Sequence, residues 1–165
     1  MYRHTEAQAL ANGAKSKSFM VHKGVAQGCP LSPTLFAIFI NSLLTELRNS
    51  GKGTDLDGFR LSNLAYADDI VLLADSAADL QVLTKICFEW CKKWGMKANV
   101  SKCGLLAISN KDAPIIRWDA STFPNVTDYK YLGVNFEPDM KFVKHTKNRV
   151  SITGIYVFRA FDACR

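Results

Sequence analysis

Two adjacent aspartates, Asp68 and Asp69, interrupt the apolar segment LAYADDIVLLA at residues 64–74. Like charges a few ångströms apart repel each other, and apolar surroundings strengthen that repulsion. A solvated turn is one explanation, because Asp is a common turn residue. A divalent cation is the other, since Mg²⁺ binds carboxylate oxygens together with substrate phosphates. Two such ions ~3.5–4 Å apart can activate an attacking oxygen and stabilise the leaving oxygen in phosphoryl transfer.

The acidic pair belongs to a series of four motifs. In chain order they are Gly24-x-x-Gln27-Gly28-x-x-Leu31-Ser32-Pro33-x-Leu35-Phe36, Tyr66-Ala67-Asp68-Asp69, Trp94-Gly95-Met96-x-x-Asn99-x-x-Lys102 and Tyr131-Leu132-Gly133-Val134. Together they resemble the reverse transcriptases of non-LTR, LINE-type retrotransposons. The resemblance runs from about residue 17 to about residue 150, which is most of the chain. With these flanks, the metal explanation of the acidic pair outweighs the turn explanation.

The resemblance implies that the chain contains part of a polymerase palm, with the acidic pair in its catalytic turn. Asp68 would be a direct ligand of the catalytic metals, and Asp69 a nearby, less direct contributor. Two Mg²⁺ ions are expected in the complete enzyme. Tyr66 would support the turn beneath the primer end. The substrates would be an RNA template, a DNA primer and deoxynucleoside triphosphates.

The remaining motifs would contact these substrates. Gln27 and Gly28 would lie close to the incoming nucleotide and the template base, where a missing side chain lets backbone approach a ligand. Lys102 would lie near the triphosphate, although a solvent-facing role is equally compatible with its sequence context. Residues Tyr131, Leu132 and Gly133 would form the primer grip. An ordinary buried strand is the alternative for that segment.

Composition agrees with a folded domain and permits a polyanionic partner. Of the 165 residues 48% are hydrophobic and 22% are charged, which excludes a disordered composition. The formal net charge of +6 suits nucleic acid or a membrane surface, although many ordinary proteins are as basic. The five cysteines show no zinc-ligand spacing, so a reducing, intracellular compartment is expected. Apolar runs such as LFAIFI at 35–40 are too short to span a bilayer, and no membrane partner is expected.

The acidic pair needs a rigid mount, and the flanking apolar patterns predict one. Two short apolar strands joined by about two residues indicate a tight hairpin, with Asp68 and Asp69 at its tip. A strand is expected to end near Val21. Ser32 is expected to cap a helix that has Pro33 at its first position and ends near Arg48.

A second helix is expected after the hairpin, capped by Ser76 and ended by Gly95. Trp90 and Trp94 are expected in its core-facing stripe. Downstream, GLLAIS at 104–109 and YKYLGV at 129–134 are predicted as strands, with a further β-rich stretch at 115–118.

This order of elements predicts an α+β fold with helices packed on one face of an antiparallel sheet. The resemblance implies that residues 1–139 form an incomplete polymerase palm and that residues 140–165 form the start of a thumb. The basic residues near His145 belong to the thumb-like helix.

A two-metal site also requires a carboxylate from an upstream strand, and no such block precedes Gly24. The palm sheet is expected to lack a central strand and to expose an edge. The chain is therefore expected to be a polymerase fragment that is inactive alone. A non-catalytic nucleic-acid-binding remnant and a decayed element product remain alternatives.

Overall fold

A computed structural model describes residues 5–21, 24–26, 28–108 and 114–136. Within them lie two α-helices, α1 (Ser32–Asn49) and α2 (Ala77–Trp94), and a short 3-10 helix at Val100–Lys102. The strands are β1 (Thr5–Ala7), β2 (Leu10–Ala11), β3 (Ala14–Lys15), β4 (Phe19–Val21), β5 (Thr54–Leu56), β6 (Phe59–Leu61), β7 (Asn63–Tyr66), β8 (Asp69–Leu72), β9 (Arg117–Trp118), β10 (Ser121–Thr122), β11 (Tyr129–Tyr131) and β12 (Val134–Phe136).

The strands of the described ranges form six antiparallel pairs: β1–β4, β2–β3, β5–β6, β7–β8, β9–β10 and β11–β12. A mixed α+β architecture is thus confirmed, but these strands are separate pairs rather than one continuous sheet. The reason is local pairing, because each pair except β1–β4 joins strands that follow one another in sequence. Among the described strands, β7 pairs with β8 alone.

Helix α1 begins one residue earlier than expected. Leu31 is the N-cap residue, and its side chain makes no capping hydrogen bond, whereas Ser32 is already helical. The Ser32 hydroxyl instead donates to the Ala26 carbonyl at 2.6 Å. Its use by the preceding loop explains why the prediction of a Ser32 cap was wrong. The helix ends at Asn49, one residue beyond the predicted Arg48.

Helix α2 has the ends that the sequence predicted. The Ser76 hydroxyl accepts a hydrogen bond from the Asp79 amide at 3.1 Å. At the other end Gly95 adopts the left-handed conformation, φ 64°, which glycine accepts without strain. The prediction for Trp90 is confirmed, since it is fully buried and donates from its Nε1 to the Ser42 hydroxyl at 2.9 Å. The prediction for Trp94 was wrong, because 47% of it is exposed.

Strand β8 is buried on both faces. Because its successive side chains point to opposite faces, they contribute to two separate apolar clusters. Ile70 and Leu72 join the larger cluster, which contains the buried faces of α1 and α2. Val71 and Leu73 join a smaller cluster on the opposite face, with Leu106 and Ile108. Both helices therefore cover the same face of the β7–β8 hairpin, while the segment after α2 and the last hairpin cover the other face.

Two predicted strands differ from the structure. Within GLLAIS, residues 104–108 form no strand, and Leu105 makes only an isolated parallel bridge to Asn125. Leu105 donates to the Pro124 carbonyl at 2.9 Å and accepts from the Val126 amide at 3.0 Å. Pro124 has no amide hydrogen to donate to the Cys103 carbonyl, so this pairing cannot extend toward Cys103. The segment YKYLGV is not one strand but a hairpin, because Leu132 and Gly133 both have positive φ and reverse the chain.

Several expectations lie outside the described residues: the thumb-like helix of 140–165, Ser109 at the end of GLLAIS, and Gln27. No helix of the described ranges is long and apolar enough to cross a membrane.

Candidate functional site

The acidic pair lies at the tip of the β7–β8 hairpin, as predicted. Ala67 and Asp68 form the two-residue turn, and Asp69 begins β8 opposite Tyr66, the last residue of β7. Ala67 has φ 51°, the positive value that tight hairpin turns require at their first central position. A non-glycine residue in this region stores backbone strain, here directly beside the acidic pair.

Both carboxylates are half-buried. Within residues 28–108 and the other described ranges, the Asp68 side chain has no hydrogen-bond or ion-pair partner. Asp69, in contrast, does interact with its surroundings. A half-buried carboxylate that lacks a protein partner retains its oxygen lone pairs for a cation or a substrate donor.

The hairpin holds the tip rigidly because β8 is clamped on both faces. Ile70 and Leu72 are completely buried, and Val71 and Leu73 are nearly so. The Leu73 amide donates to the Ser62 carbonyl at 2.9 Å, which extends the pairing beyond β8. By contrast Tyr66 is 65% exposed and so presents its ring to solvent at the tip.

Tyr131 of the β11–β12 hairpin belongs to the surroundings of the tip. Burial raises the pKa of its phenol above 10.0, and the Asp69 carboxylate raises it further. The packing of the β11–β12 hairpin on the cluster of Val71 and Leu73 brings Tyr131 near this carboxylate. Tyr131 and Phe136 both pack against that cluster.

The next two residues of the predicted primer grip form the turn of that hairpin. Leu132 has φ 48° and is 53% exposed, and Gly133 has φ 86°. An exposed apolar turn residue of this kind is available for contact with a further molecule. The buried-strand alternative for this segment fails at Leu132, and Tyr131 is half-buried.

Gly28 lies in the loop before α1 and has φ 83°. No heavy atom lies within 4 Å of the position that a Cβ would take there. Within the chain, the backbone conformation and not crowding therefore favours glycine at this position. Ser32, which the sequence indicated only as a cap, stabilises this loop through its bond to Ala26.

Lys102 is exposed in the short 3-10 helix after α2. The two long helices pack antiparallel to each other. Phe39, near the middle of α1, contacts Trp94 at the end of α2, with ring centroids 5.5 Å apart. Lys52, just after α1, forms an ion pair with Asp79 at the start of α2 at 2.8 Å.

Strand β8 runs from the acidic tip toward the start of α2, and both elements contribute buried residues to the same core cluster. Gly28 precedes α1 and Lys102 follows α2, so both lie on elements other than the hairpin that carries the acidic pair. Their proximity to the acidic pair stays a prediction.

The donor set for a metal is incomplete within the part of the chain that the structure describes. No group of three or more His, Cys, Asp or Glu side chains there could hold a metal ion. The adjacent carboxylates of Asp68 and Asp69 supply the oxygen ligands that Mg²⁺ prefers, but these ligands come from two residues only. They fit as part of a magnesium site whose other ligands come from elsewhere.

Comparison with known proteins agrees with this arrangement. Residues 2–136 match the family described as Reverse transcriptase (RNA-dependent DNA polymerase). The chain belongs to this family, and the resemblance identified from its motifs is confirmed.

The curated relatives are proteins of non-LTR retrotransposons. The chain is 32% identical over 143 residues to the RNA-directed DNA polymerase from mobile element jockey of Drosophila funebris, which covers 82% of this chain and 15% of that protein. It is also 32% identical over 136 residues to the retrovirus-related Pol polyprotein from type-2 retrotransposable element R2DM of Drosophila melanogaster, covering 76% of this chain and 13% of that protein. The chain therefore spans about one seventh of the length of these relatives.

Proposed function

We propose that this chain supplies part of the catalytic palm of an RNA-directed DNA polymerase, which extends a DNA primer along an RNA template with deoxynucleoside triphosphates. The observation that carries the proposal is the position of Asp68 and Asp69. They lie at the tip of a hairpin whose second strand is buried on both faces. Catalytic carboxylates require this kind of rigid support, because small displacements of a metal ligand cost activity.

In this proposal Asp68 binds metal directly, since its carboxylate has no partner among the described residues. Asp69 contributes negative charge from the adjacent position. The magnesium ions, when bound, would lower the barrier to attack of the primer 3′-hydroxyl on the α-phosphate and stabilise the departing pyrophosphate.

The role proposed for Tyr131 follows from its position, because it packs against the cluster that contains Val71 and Leu73 of the catalytic-turn hairpin. A phenol that keeps its proton remains a hydrogen-bond donor, and phosphate oxygens of a primer strand are acceptors. Tyr131 and the exposed Leu132 turn would then hold the primer beside the acidic tip. Gln27 and Gly28, with Lys102, are proposed to contact the nucleotide and the template base.

The isolated chain is proposed to add nucleotides slowly, if at all. The tip provides two carboxylates, and no third ligand joins them among the described residues. An under-coordinated metal pair would lower the rate by orders of magnitude. The same observation favours the second candidate function, a nucleic-acid-binding remnant without catalysis.

A titration with Mn²⁺, followed by electron paramagnetic resonance, tests the metal site without requiring turnover. Asp68→Asn is expected to weaken binding about tenfold, because it removes a charged oxygen ligand. Asp57→Asn is the matched control. Asp57 is likewise an aspartate in a two-residue hairpin turn, but it is exposed and lies in the β5–β6 turn. Equal Mn²⁺ affinity in Asp68→Asn and the parent chain would refute the assignment.

Primer extension on an RNA template separates the two candidate functions. Extension that requires Mg²⁺ and is lost in Asp68→Ala supports the polymerase even in this short chain. Template binding that Asp68→Ala leaves unchanged, with no extension, supports the non-catalytic remnant.

A further inference from the structure

Trp94, at the last position of α2, presents an aromatic surface to solvent. Its exposed fraction is 47%, whereas Trp90 one turn earlier is 1% exposed. The ring is held from behind by an edge-to-face contact with Phe39 at 5.5 Å and a tilted contact with Trp90 at 6.3 Å. These contacts fix the orientation of the ring while leaving nearly half of its surface open.

Three lysines lie close to Trp94 in sequence, and one of them lies near its ring. Lys92, Lys93 and Lys97 are all exposed, and the Lys93 Nζ lies 5.7 Å from the Trp94 ring centroid. None of the three lysines forms an ion pair with any residue in the described ranges. No Asp or Glu occurs between Trp90 and Lys102. Trp94 and these three lysines are named the tryptophan–lysine patch.

The opposite end of the helix pair has a different charge pattern. There Lys52 is paired with Asp79 at 2.8 Å, and Arg60 lies 4.0 Å from both Asp55 and Asp75. The lysines at the end of α2, in contrast, have no carboxylate partner among the described residues. Neighbouring lysines without carboxylate partners repel each other and make the local electrostatic potential positive. A bound polyanion relieves this repulsion.

We propose that the tryptophan–lysine patch binds a single-stranded nucleic-acid segment, one base stacking on Trp94 while the lysines contact the flanking phosphates. Aromatic rings that receive bases, combined with cations that follow the backbone, define sequence-tolerant single-strand binding. A duplex cannot use the ring in this way, because its bases are already stacked. The patch lies outside the carboxylate site, so this inference goes beyond the proposed polymerase function.

Fluorescence anisotropy with a short fluorescein-labelled oligothymidine, in buffer without divalent cations or nucleotides, measures this binding. Trp94→Leu is expected to weaken binding on the order of tenfold, and Trp94→Phe to restore most of it, since phenylalanine also stacks. The variant Lys92→Gln/Lys93→Gln/Lys97→Gln is expected to reduce the slope of log affinity against log salt by ~2, at ~0.7 for each lost phosphate contact.

Lys85→Gln is the matched control, because Lys85 is an exposed lysine on the same helix, outside the patch. It is expected to change the salt slope little. The proposal is overturned if Trp94→Leu binds as tightly as the parent chain, or if the slope changes in the triple lysine variant by no more than about three times its change in Lys85→Gln, as it would for non-specific binding. If Trp94→Leu loses the same factor of affinity for a hairpin duplex as for oligothymidine, the proposal is also overturned, because stacking of an unpaired base on Trp94 would then not contribute.

The result is independent of catalysis. Asp68→Ala is expected to leave oligothymidine binding unchanged in this assay, because no metal is present. Failure of primer extension therefore does not affect this inference, and loss of the patch does not test the metal site. If Trp94→Leu does not fold, as judged by its thermal transition, the Trp94→Phe and lysine variants still decide the question.

Discussion

Tyr131 on the β11–β12 hairpin is electrostatically coupled to Asp69 at the tip of the β7–β8 hairpin. Burial of the phenol contributes most to its raised pKa, and the Asp69 carboxylate contributes next. The coupling joins the acidic hairpin tip to the segment predicted as the primer grip. It also gives the site a spectroscopic reporter, because ionised tyrosine absorbs differently from the neutral phenol.

Asp69→Asn is expected to lower the pKa of Tyr131 toward 10.0, because a neutral amide no longer repels the phenolate. The measurement is an ultraviolet absorbance titration, with Tyr131→Phe used to assign the transition. Asp128→Asn, an exposed aspartate next to the same hairpin, is the control and is expected to leave that transition in place. An unchanged Tyr131 pKa in Asp69→Asn would show that the two side chains are not coupled.

The same shift predicts a pH dependence of stability. The folded pKa of Tyr131 lies above the unfolded value of about 10, so the unfolded state loses this proton first. The stabilising contribution is complete below pH 10 and is lost as the pH rises through the folded pKa. The free energy of unfolding, measured with urea, is therefore expected to fall less steeply between neutral and alkaline pH in Tyr131→Phe than in the parent chain.

Ala67→Gly is expected to stabilise the chain by roughly 0.5–1 kcal/mol, since glycine adopts the φ of 51° at this turn without strain. Urea unfolding measures the change. Ala65→Gly, in strand β7, is the control and should destabilise by about 0.5–1 kcal/mol. If Ala67→Gly is as destabilising as Ala65→Gly, the turn is not strained.

Gly53→Ala is expected to destabilise the fold by more than about 2 kcal/mol, because two costs combine. Gly53 has φ 138°, and a Cβ there would lie 2.5 Å from the Leu61 carbonyl oxygen. Gly51→Ala is the matched variant, since Gly51 also has positive φ, 67°, but no atom within 4 Å of its Cβ position. Its expected loss is about 1 kcal/mol. Similar thermal shifts for the two variants would contradict the predicted clash.

Cys91 provides a further pH-dependent prediction. Burial raises the pKa of its thiol from 9.0 to about 12. The unfolded thiol therefore ionises first, and the stability from this residue, complete below pH 9, declines progressively up to about pH 12. Cys91→Ala is expected to lose less stability over that range than the parent chain.

The half-buried Cys29 should also react with a thiol reagent faster than Cys91 at pH 8. Rapid labelling of Cys91 in the folded chain would disprove its burial.

The local elements could be predicted because short-range physical chemistry decides them. Helix α2 starts at Ser76, whose hydroxyl accepts the Asp79 amide, and stops at Gly95, which accepts positive φ. The two apolar runs around Asp68 and Asp69 can pair with each other only through a tight turn. These features involve residues a few positions apart, so neighbouring sequence is sufficient.

Elements that depend on distant partners were not predictable. Residues 104–108 are as apolar as a strand, but among them only Leu105 forms a bridge, to Asn125, which is 20 residues away in sequence. The turn at Leu132 and Gly133 is local, but the apolar pattern alone indicated a continuous strand there, and only the resemblance to the family implied a hairpin. Gln27 and the residues of the thumb-like segment lie outside the described ranges, and their roles remain predictions.

The sequence by itself determined the family, the acidic hairpin tip, the existence of both helices and the ends of α2, since these depend on residue order and nearest neighbours. The tertiary structure alone decided that β8 separates two apolar clusters, that Tyr131 lies within electrostatic reach of Asp69, and that Trp94 is exposed while Trp90 is buried. Periodicity along a helix identifies an apolar stripe but not where the neighbouring element ends. Burial and electrostatic coupling depend on that distance between elements, which only the packed chain determines.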